Sequence, residues 1–258
     1  CCIHLVNHEM IQQSIVVRGK GKVAHRLTEF RHQLGERPLQ RCAADKRGHG
    51  DDGECADAIP HAWKRKDRID ALTREISASG GKSIGFPVDV TKRADVEAFI
   101  KGAVESFGRV DVIVNNAGIM PIAPIQALKV EEWDRQIDVN LKGVLYGVAA
   151  VLPQMQKQRS GHIINVASVA GIKVFAPGGV VYSATKTAVR ALTEGLRMEL
   201  HSQNIRCTMI SPGVVTTELP ESSSEEATRR DLREFYKVAI PPDSIASAIA
   251  YAIEQPAE

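Results

Sequence analysis

Hydrophobic and polar residues follow two different patterns on either side of residue 64. Beyond it, apolar residues recur at helical spacing in some stretches and form short continuous runs in others. Runs such as residues 110–114 are typical of parallel strands that helices cover on both faces. The predicted strands are residues 83–88, 110–114, 162–166 and 205–210. The predicted helices are residues 67–80, 91–104, 130–156, 180–202, 225–238 and 242–254.

Local signals support these boundaries. Thr91 is a candidate N-cap for the second helix, and Gly80 with Gly81 is a typical stop for the first. Pro153 predicts a kink or break near the end of the third helix. Strands that alternate with helices at this spacing predict an α/β fold, a single doubly wound parallel sheet over residues 64–258.

Residues 1–63 differ from the rest of the chain. Glycine-rich stretches at 19–22 and 48–53 predict turns, with no strong apolar strand between them. No Gly-x-x-x-Gly-x-Gly turn follows a strand here. We therefore expect an atypical N-terminal segment at 1–63, either disordered or frame-shifted, followed by the α/β domain. Because the sequence starts at Cys1 rather than Met, we also expect a trimmed or partial chain.

Composition excludes several function classes. The 258 residues are 43% hydrophobic and 25% charged, with a net charge of +2, so no basic field favours nucleic acid or anionic lipid. No run approaches the roughly 18 apolar residues that span a bilayer, and no secretory signal opens the chain. These features predict a cytoplasmic protein that binds neither membrane nor nucleic acid.

Four of the five cysteines and six of the eight histidines lie before residue 64. A zinc site formed by Cys42, His49, Cys55 and His61 is conceivable, but no Cys-x-x-Cys pair supports it. We favour reduced, structurally idle thiols and predict no metal.

The chemistry is suggested first by Tyr182 and Lys186. A spacing of four places the phenol and the ammonium on one helix face. A phenol with a pKa near ~10 is a poor base at neutral pH, and a nearby cation favours its ionised form. Tyr182 could then exchange a proton with an alcohol or a forming alkoxide. Taken alone, the pair could equally be two unrelated surface residues.

Three further features accompany this pair. Ser168 follows the strand at 162–166, where a doubly wound sheet places reacting groups and a hydroxyl can donate to a substrate oxygen. Asn140 lies on an otherwise apolar helix and needs partners, which a proton-relaying water near Lys186 would supply. Small residues in Asn-Asn-Ala-Gly at 115–118 let the backbone approach a ligand. The simpler interpretations are a turn serine, a buried structural amide and a plain turn.

In this order the features resemble the short-chain dehydrogenase/reductase family, over about three quarters of the chain from residue 64. The resemblance implies a Rossmann-like sheet and a catalytic tetrad. The tetrad residues would be Asn140, Ser168, Tyr182 and Lys186. It also implies an NAD(P) site, in which Tyr182 and Lys186 take part. The other implied cofactor contacts are Asp89, Val90, Asn116, Ala117, Gly118, Pro212, Gly213, Val215 and Thr217.

The cofactor preference depends on residues after the family's second strand. Lys64 and Arg65 resemble the basic residues that meet the ribose 2′-phosphate in members preferring NADP. We therefore expect NADP rather than NAD, against the alternative of a solvated charge run at 64–68. Family members commonly pair the two helices here predicted at 130–156 and 180–202, which implies a homodimer or homotetramer.

Two family features are missing from the sequence. The opening strand and Thr-Gly-x-x-x-Gly-x-Gly turn cannot be read in residues 1–63, and the chain stops before the family's last strand. One explanation is a frame shift, because shifted codons for residues 46–57 can spell Asn-Gly-Ala-Thr-Val-Met-Met-Gly-Ser-Ala-Arg, a plausible second strand. The rival is a genuinely divergent segment. The gene's nucleotide sequence would distinguish them.

The leading hypothesis is an oxidoreductase that moves a hydride between NAD(P) and a secondary alcohol or carbonyl. We expect residues 218–231 to form a mobile substrate loop, and residues 118–121 and 176–179 to line the pocket. The local pattern resembles members acting on small hydroxy acids or other polar alcohols. The alternative is a non-catalytic relative, a damaged-gene product or an interaction protein, that binds no cofactor.

Overall fold

The computed structural model describes residues 2–3, 13–17, 66–78 and 80–256. Its five strands are β1 (Cys2–Ile3), β2 (Gln13–Val17), β3 (Val112–Asn115), β4 (Gly161–Val166) and β5 (Ile205–Ile210). Its helices are α1 (Lys66–Ala78), α2 (Arg93–Phe107), α3 (Val130–Ile137), α4 (Gly143–Gln158), α5 (Val180–Leu200), α6 (Glu226–Phe235) and α7 (Pro242–Glu254). A π-helical turn, Asp138–Lys142, joins α3 to α4.

The strands form one sheet in the order β1-β2-β3-β4-β5. β3, β4 and β5 are parallel, with Val112 beside His162 and Gly161 beside Ile205. Their carboxyl ends therefore meet at one edge of the sheet. This parallel core with helices confirms the predicted α/β, Rossmann-like fold.

Side chains on β3 and β4 alternate between two cores, as the period of two in a strand requires. On one face, Ile113 and Ile163 pack with Phe99 of α2 and with Val151 and Met155 of α4. On the opposite face, Val112, Val114 and Ile164 pack with Ile253 of α7. Both faces of the parallel strands are therefore covered, which explains their nearly continuous apolar sequences.

The sheet differs from the predicted all-parallel arrangement at its β1 edge. β2 runs antiparallel to β3, with Gln13 beside Asn115, and β1 runs antiparallel to β2. Residues 83–88, predicted as a strand, form none, because a strand needs ladder hydrogen bonds and none of the described strands lies beside them.

Two local predictions about helix ends were wrong. The hydroxyl of Thr91 does not cap a helix: it donates to Asp89 Oδ1 at 2.7 Å, and α2 begins at Arg93 after an N-cap residue, Lys92, that makes no side-chain cap bond. Pro153 does not break α4, which continues to Gln158. The interruption lies earlier, at the π turn around Asn140.

The four residues of the conceivable zinc site lie outside the described residues. Within the described ranges, no group of three or more His, Cys, Asp or Glu side chains is placed to hold a metal ion. Helices long and apolar enough to cross a bilayer are likewise not found among those ranges.

Candidate active site

The carboxyl ends of the three parallel strands place most of the predicted site residues together. β3 leads into Asn116, Ala117 and Gly118, β4 leads to Ser168, and β5 leads to Pro212. The last two segments are joined directly, because the Val169 N–H donates to the Pro212 carbonyl at 2.9 Å. This is the edge at which open α/β sheets bind ligands.

Tyr182 and Lys186 lie on the face of α5 that packs against this edge, and both are buried. The Lys186 ammonium nitrogen is 5.8 Å from the centroid of the Tyr182 ring. It donates to the Val166 carbonyl at 3.0 Å, at the last residue of β4. The last residue of β4 therefore holds the Lys186 ammonium next to the Tyr182 phenol.

Ser168 is the partner of the phenol. The side chains of Tyr182 and Ser168 are hydrogen-bonded to each other. Ser168 Oγ also accepts the N–H of Ala170 at 3.1 Å, capping the short turn that follows β4. The hydroxyl is thus held both by its own backbone turn and by Tyr182.

Asn140 lies in the π turn and is fully buried. Its Oδ1 accepts the Ile119 N–H at 2.8 Å, and its Nδ2 donates to the Ile119 carbonyl at 2.9 Å and to Thr185 Oγ1 at 3.1 Å. Thr185 in turn donates to the Tyr182 carbonyl at 2.7 Å. Protein groups therefore supply the partners of this side chain, for which we had expected a relay water. Irregular turns of this kind often occur at functional sites.

Gly118 brings the segment after β3 against the same residues. A Cβ built on Gly118 would lie 3.3 Å from Lys186 Nζ and 3.5 Å from Asn140 Oδ1. The absence of a side chain there keeps the backbone close to both predicted tetrad residues. All four predicted tetrad residues and Gly118 are thus assembled in one place, from four segments distant in sequence.

Burial shifts the pKa values of Tyr182 and Lys186 in opposite directions. Desolvation raises the pKa of Tyr182 to about 12, and the hydrogen bond from Ser168 opposes this rise. Desolvation lowers the pKa of Lys186 to about 8. The net shift in the pKa of Tyr182 is therefore opposite to the one expected from a nearby ammonium, because the cost of burying a phenolate raises the pKa.

The predicted adenine contacts, Asp89 and Val90, lie in the turn before α2. Asp89 Oδ1 accepts from the backbone and the hydroxyl of Thr91. Val90 is buried against Ala117 and Ile119. The structure therefore brings this pair beside the segment after β3. Lys64 and Arg65 lie outside the described residues.

The Pro-Gly segment after β5 is held by residues before α7. The Thr216 N–H donates to the Ile240 carbonyl at 2.9 Å, and the Ile240 N–H donates to the Val214 carbonyl at 3.0 Å. Val215 pairs with Ile240 in a parallel bridge. Thr217 Oγ1 accepts the Leu219 N–H at 3.3 Å, which turns the chain toward the loop over the site.

The loop predicted as mobile is tied down by two serines. Ser222 Oγ accepts the Met120 N–H at 3.1 Å, and Ser223 Oγ accepts the Ile122 N–H at 3.1 Å. Ser223 is fully buried. A run of serines between glutamates looks solvated in sequence, so its hydrogen bonds to a segment a hundred residues earlier could not be anticipated.

Comparisons with known proteins identify the class to which this fold and site belong. A family model described as short chain dehydrogenase matches residues 58–228. An oxidoreductase of Staphylococcus saprophyticus is 52% identical over 198 residues, covering 76% of this chain and 79% of that protein. The chain therefore belongs to the short-chain dehydrogenase family, a class of NAD(P)-dependent oxidoreductases.

Solved structures agree with this assignment. A short-chain dehydrogenase/reductase from Burkholderia phymatum in complex with NAD has a TM-score of 0.68 and 28% identity, with 74% of each chain covered. The closed form of a serine dehydrogenase complexed with NADP⁺ has a TM-score of 0.65 and 32% identity, covering 75% of this chain and 78% of that chain.

The described residues fit the nicotinamide half of such a cofactor. The glycine at 118 leaves open the approach to Lys186 Nζ. At the end of β5, the buried hydroxyl of Ser211 has no hydrogen-bond partner within the described ranges, as expected beside a ligand site. Residues that would hold a diphosphate on a glycine turn are not found in the described part of the chain.

Proposed function

We propose that this enzyme interconverts a secondary alcohol and a carbonyl, with Tyr182 exchanging the proton at the substrate oxygen. The observation that carries the proposal is the buried Tyr182 phenol, which is hydrogen-bonded to Ser168 and lies 5.8 Å from Lys186 Nζ, measured to the ring centroid. When bound, NAD(P) supplies or accepts the hydride at the carbon of the same C–O bond. A carbonyl that gains this hydride and the Tyr182 proton becomes the alcohol.

Each tetrad residue has a distinct role in this proposal. Ser168 donates a hydrogen bond to the substrate oxygen and polarises it. Lys186 holds the nicotinamide ribose and, when charged, stabilises the phenolate left after proton transfer. Asn140 fixes the turn of α5 that carries Tyr182, through its bond to Thr185.

The raised pKa of Tyr182, about 12, favours the reductive direction at neutral pH. A phenol with this pKa is protonated at pH 7 and ready to donate to a forming alkoxide. Alcohol oxidation instead needs the phenolate, whose population increases as pH rises. We therefore propose carbonyl reduction as the direction in which the isolated enzyme is more active near neutrality.

We propose NADP as the preferred cofactor, supported by the basic residues Lys64 and Arg65 and by the relatives solved with NADP. Asp89, Val90, Asn116, Ala117, Gly118, Pro212, Gly213, Val215 and Thr217 would line its path. We also propose assembly of copies through α4 and α5, each of which exposes an apolar side chain, Leu145 and Met198 respectively.

The test combines cofactor binding with turnover. NADPH and NADH fluorescence should change on titration with the full chain, and a ketone should be reduced at a rate that Tyr182→Phe lowers by about 10²–10⁴-fold, as for loss of a general acid. Tyr251→Phe, at an exposed position on α7, is the matched control and should retain the wild-type rate.

Two outcomes would contradict the proposal. Undiminished turnover by the Tyr182→Phe variant would remove the phenol from the mechanism. No fluorescence change with either nucleotide would favour the alternative, a non-catalytic relative that does not bind cofactor.

A further inference from the structure

A second phenol lies at the site, on the segment that covers it. Tyr236 follows α6 and packs against a buried cluster that contains Tyr182 itself. The buried members of the cluster are Met120, Ile122, Ala170, Tyr182 and Leu232. Tyr236 therefore joins an otherwise apolar wall beside the proton-exchanging residue.

The position of Tyr236 is fixed on several sides. Its ring contacts Phe235 edge-on at 6.3 Å, and Phe235 stacks on Phe175 at 6.2 Å, from the segment that precedes α5. Arg229 of α6 donates to the Ser223 carbonyl at 2.9 Å, which ties the helix to the serines already bound to residues 120–122. The phenol is thus held in place before any substrate arrives.

The hydroxyl of Tyr236 is poorly satisfied. Among the described residues its hydrogen bond is to Met120 Sδ, a weak acceptor, at 4.0 Å. Tyr236 is partly buried against this cluster, and tyrosine hydroxyls removed from water usually have a full partner. Burial and the neighbouring Tyr182 both raise the pKa of Tyr236, so the group stays protonated and can donate.

Two of the three arginines of the covering helix are already paired, and the third, Arg230, is exposed. Arg229 bonds to Glu226, and Arg233 bonds to both Glu221 and Glu226. These guanidinium groups are therefore neutralised by carboxylates of their own segment. A substrate group that meets Tyr236 is better matched as a neutral hydroxyl or carbonyl than as a carboxylate.

We propose that Tyr236 is a specificity-determining residue that donates a hydrogen bond to a second, neutral oxygen of the substrate near the reacting carbon. The favoured substrates are then hydroxy ketones and the corresponding diols, in preference to ketones that carry one oxygen. This inference rests on the proposed function, since the reacting carbonyl must lie at Tyr182. A site built to bond a second oxygen discriminates against analogues lacking it, because the polar group is then left unpaired.

The test compares 3-hydroxy-2-butanone with 2-butanone, which differ by one hydroxyl. With NADPH, the wild-type enzyme should show the higher kcat/KM for the hydroxy ketone. Tyr236→Phe should lower kcat/KM for the hydroxy ketone by about tenfold, in line with one hydrogen bond, and leave the value for 2-butanone within about twofold. Tyr251→Phe should change neither value, and an unchanged melting temperature shows that Tyr236→Phe folds normally.

The possible results separate the two proposals. If Tyr236→Phe lowers kcat/KM equally for both ketones, or for neither, the proposed role of Tyr236 is overturned. The proposed function stands in that case as long as turnover still depends on Tyr182. Absence of turnover with both ketones and both nucleotides would overturn both proposals together.

Discussion

At the scale of single residues, burial is what makes Tyr182 and Lys186 unusual. Both side chains lie in a region that excludes water, so each is driven toward its neutral form. Because the two side chains are close together, an ammonium on Lys186 and a phenolate on Tyr182 stabilise each other when both are formed. At neutral pH the phenol is neutral and Lys186, with a pKa of about 8, is still largely protonated, so the fold contains a buried positive charge that lowers its stability.

We predict that Lys186→Met stabilises the fold at neutral pH. The folded-state pKa, about 8, lies below the ordinary 10.5, so the protonated lysine costs stability that is fully present below pH 8. This cost disappears as pH rises from about 8 to 10.5, because the unfolded chain then loses its extra proton. A shift of one pKa unit corresponds to ~1.4 kcal/mol. After subtraction of the lost hydrogen bond to the Val166 carbonyl, Lys186→Met should raise the free energy of unfolding at pH 7 by about 2–3 kcal/mol.

Urea denaturation at pH 7 and at pH 10 measures this gain. Lys142→Met is the matched control, because Lys142 is exposed and forms only a surface ion pair with Asp138, and it should leave the free energy of unfolding essentially unchanged. A Lys186→Met variant that is no more stable than wild type at pH 7, or whose advantage is the same at both pH values, would contradict the prediction.

At the scale of elements, the close packing of α5 on the turn after β4 determines where the proposed catalytic side chains lie. A Cβ on Gly171 would fall 2.7 Å from the Lys186 carbonyl oxygen and 2.8 Å from its carbon, both backbone atoms that cannot rotate away. Gly171 therefore sets the distance between Ser168 and the helix that carries Tyr182.

We predict that Gly171→Ala destabilises the fold by about 2–3 kcal/mol, through forced displacement of α5. The same displacement should lower kcat. Gly195→Ala is the matched control within α5: its added Cβ meets nothing within 4 Å, so relief of the glycine penalty should stabilise the helix by about 0.5–1 kcal/mol. Thermal unfolding of the two variants should shift in opposite directions, and a shift in the same direction would contradict the packing argument.

At the scale of the whole molecule, a buried polar chain joins the two central strands to α5. Asn115 Nδ2 donates to Asn165 Oδ1 at 2.8 Å, Asn165 Nδ2 donates to Thr193 Oγ1 at 2.9 Å, and Thr193 donates to the Val189 carbonyl at 2.7 Å. All three side chains are buried. The chain aligns β3, β4 and the catalytic helix, and a polar network of this kind tolerates few changes.

We predict that Asn165→Ala lowers the free energy of unfolding by about 2–3 kcal/mol, since groups on both neighbours lose a buried partner. Ser77→Ala, which removes an exposed hydroxyl bond to Thr73 within α1, should have an effect near zero. Chemical denaturation of both variants makes the comparison. An Asn165→Ala variant as stable as wild type would show that the network does not hold the sheet to α5.

Predictions from the sequence were accurate where the signal was local. The strand at 205–210 and the helix at 242–254 match β5 and α7, because apolar residues at alternate positions and a proline at the first helical turn each define their own element. Residues 83–88 were wrongly predicted as a strand, because strand formation depends on a neighbour. Thr91 was wrongly predicted as a cap, because its hydroxyl had a better acceptor in Asp89.

The residues of the candidate site also fall into two groups, those that the sequence pointed to and those that it did not. The sequence singled out Ser168 because it follows a strand end, Tyr182 and Lys186 because they share a helix face, and Asn140 because it is a polar residue in an otherwise apolar helical stretch. Thr185, Ser223 and Tyr236 were not singled out, since their partners lie 45, 101 and 116 residues away in the chain.

The sequence alone determined the family and the alternation of strands and helices, and it supplied the prediction of which residues carry the chemistry, because these depend on residue type and short spacings. Tertiary structure alone decided the burial that moves the pKa values of Tyr182 and Lys186 apart, and the antiparallel pairing of β2 with β3. It also decided the placement of Tyr236 against Tyr182. Desolvation and strand pairing are properties of neighbours brought together by folding, and no local stretch of sequence contains them.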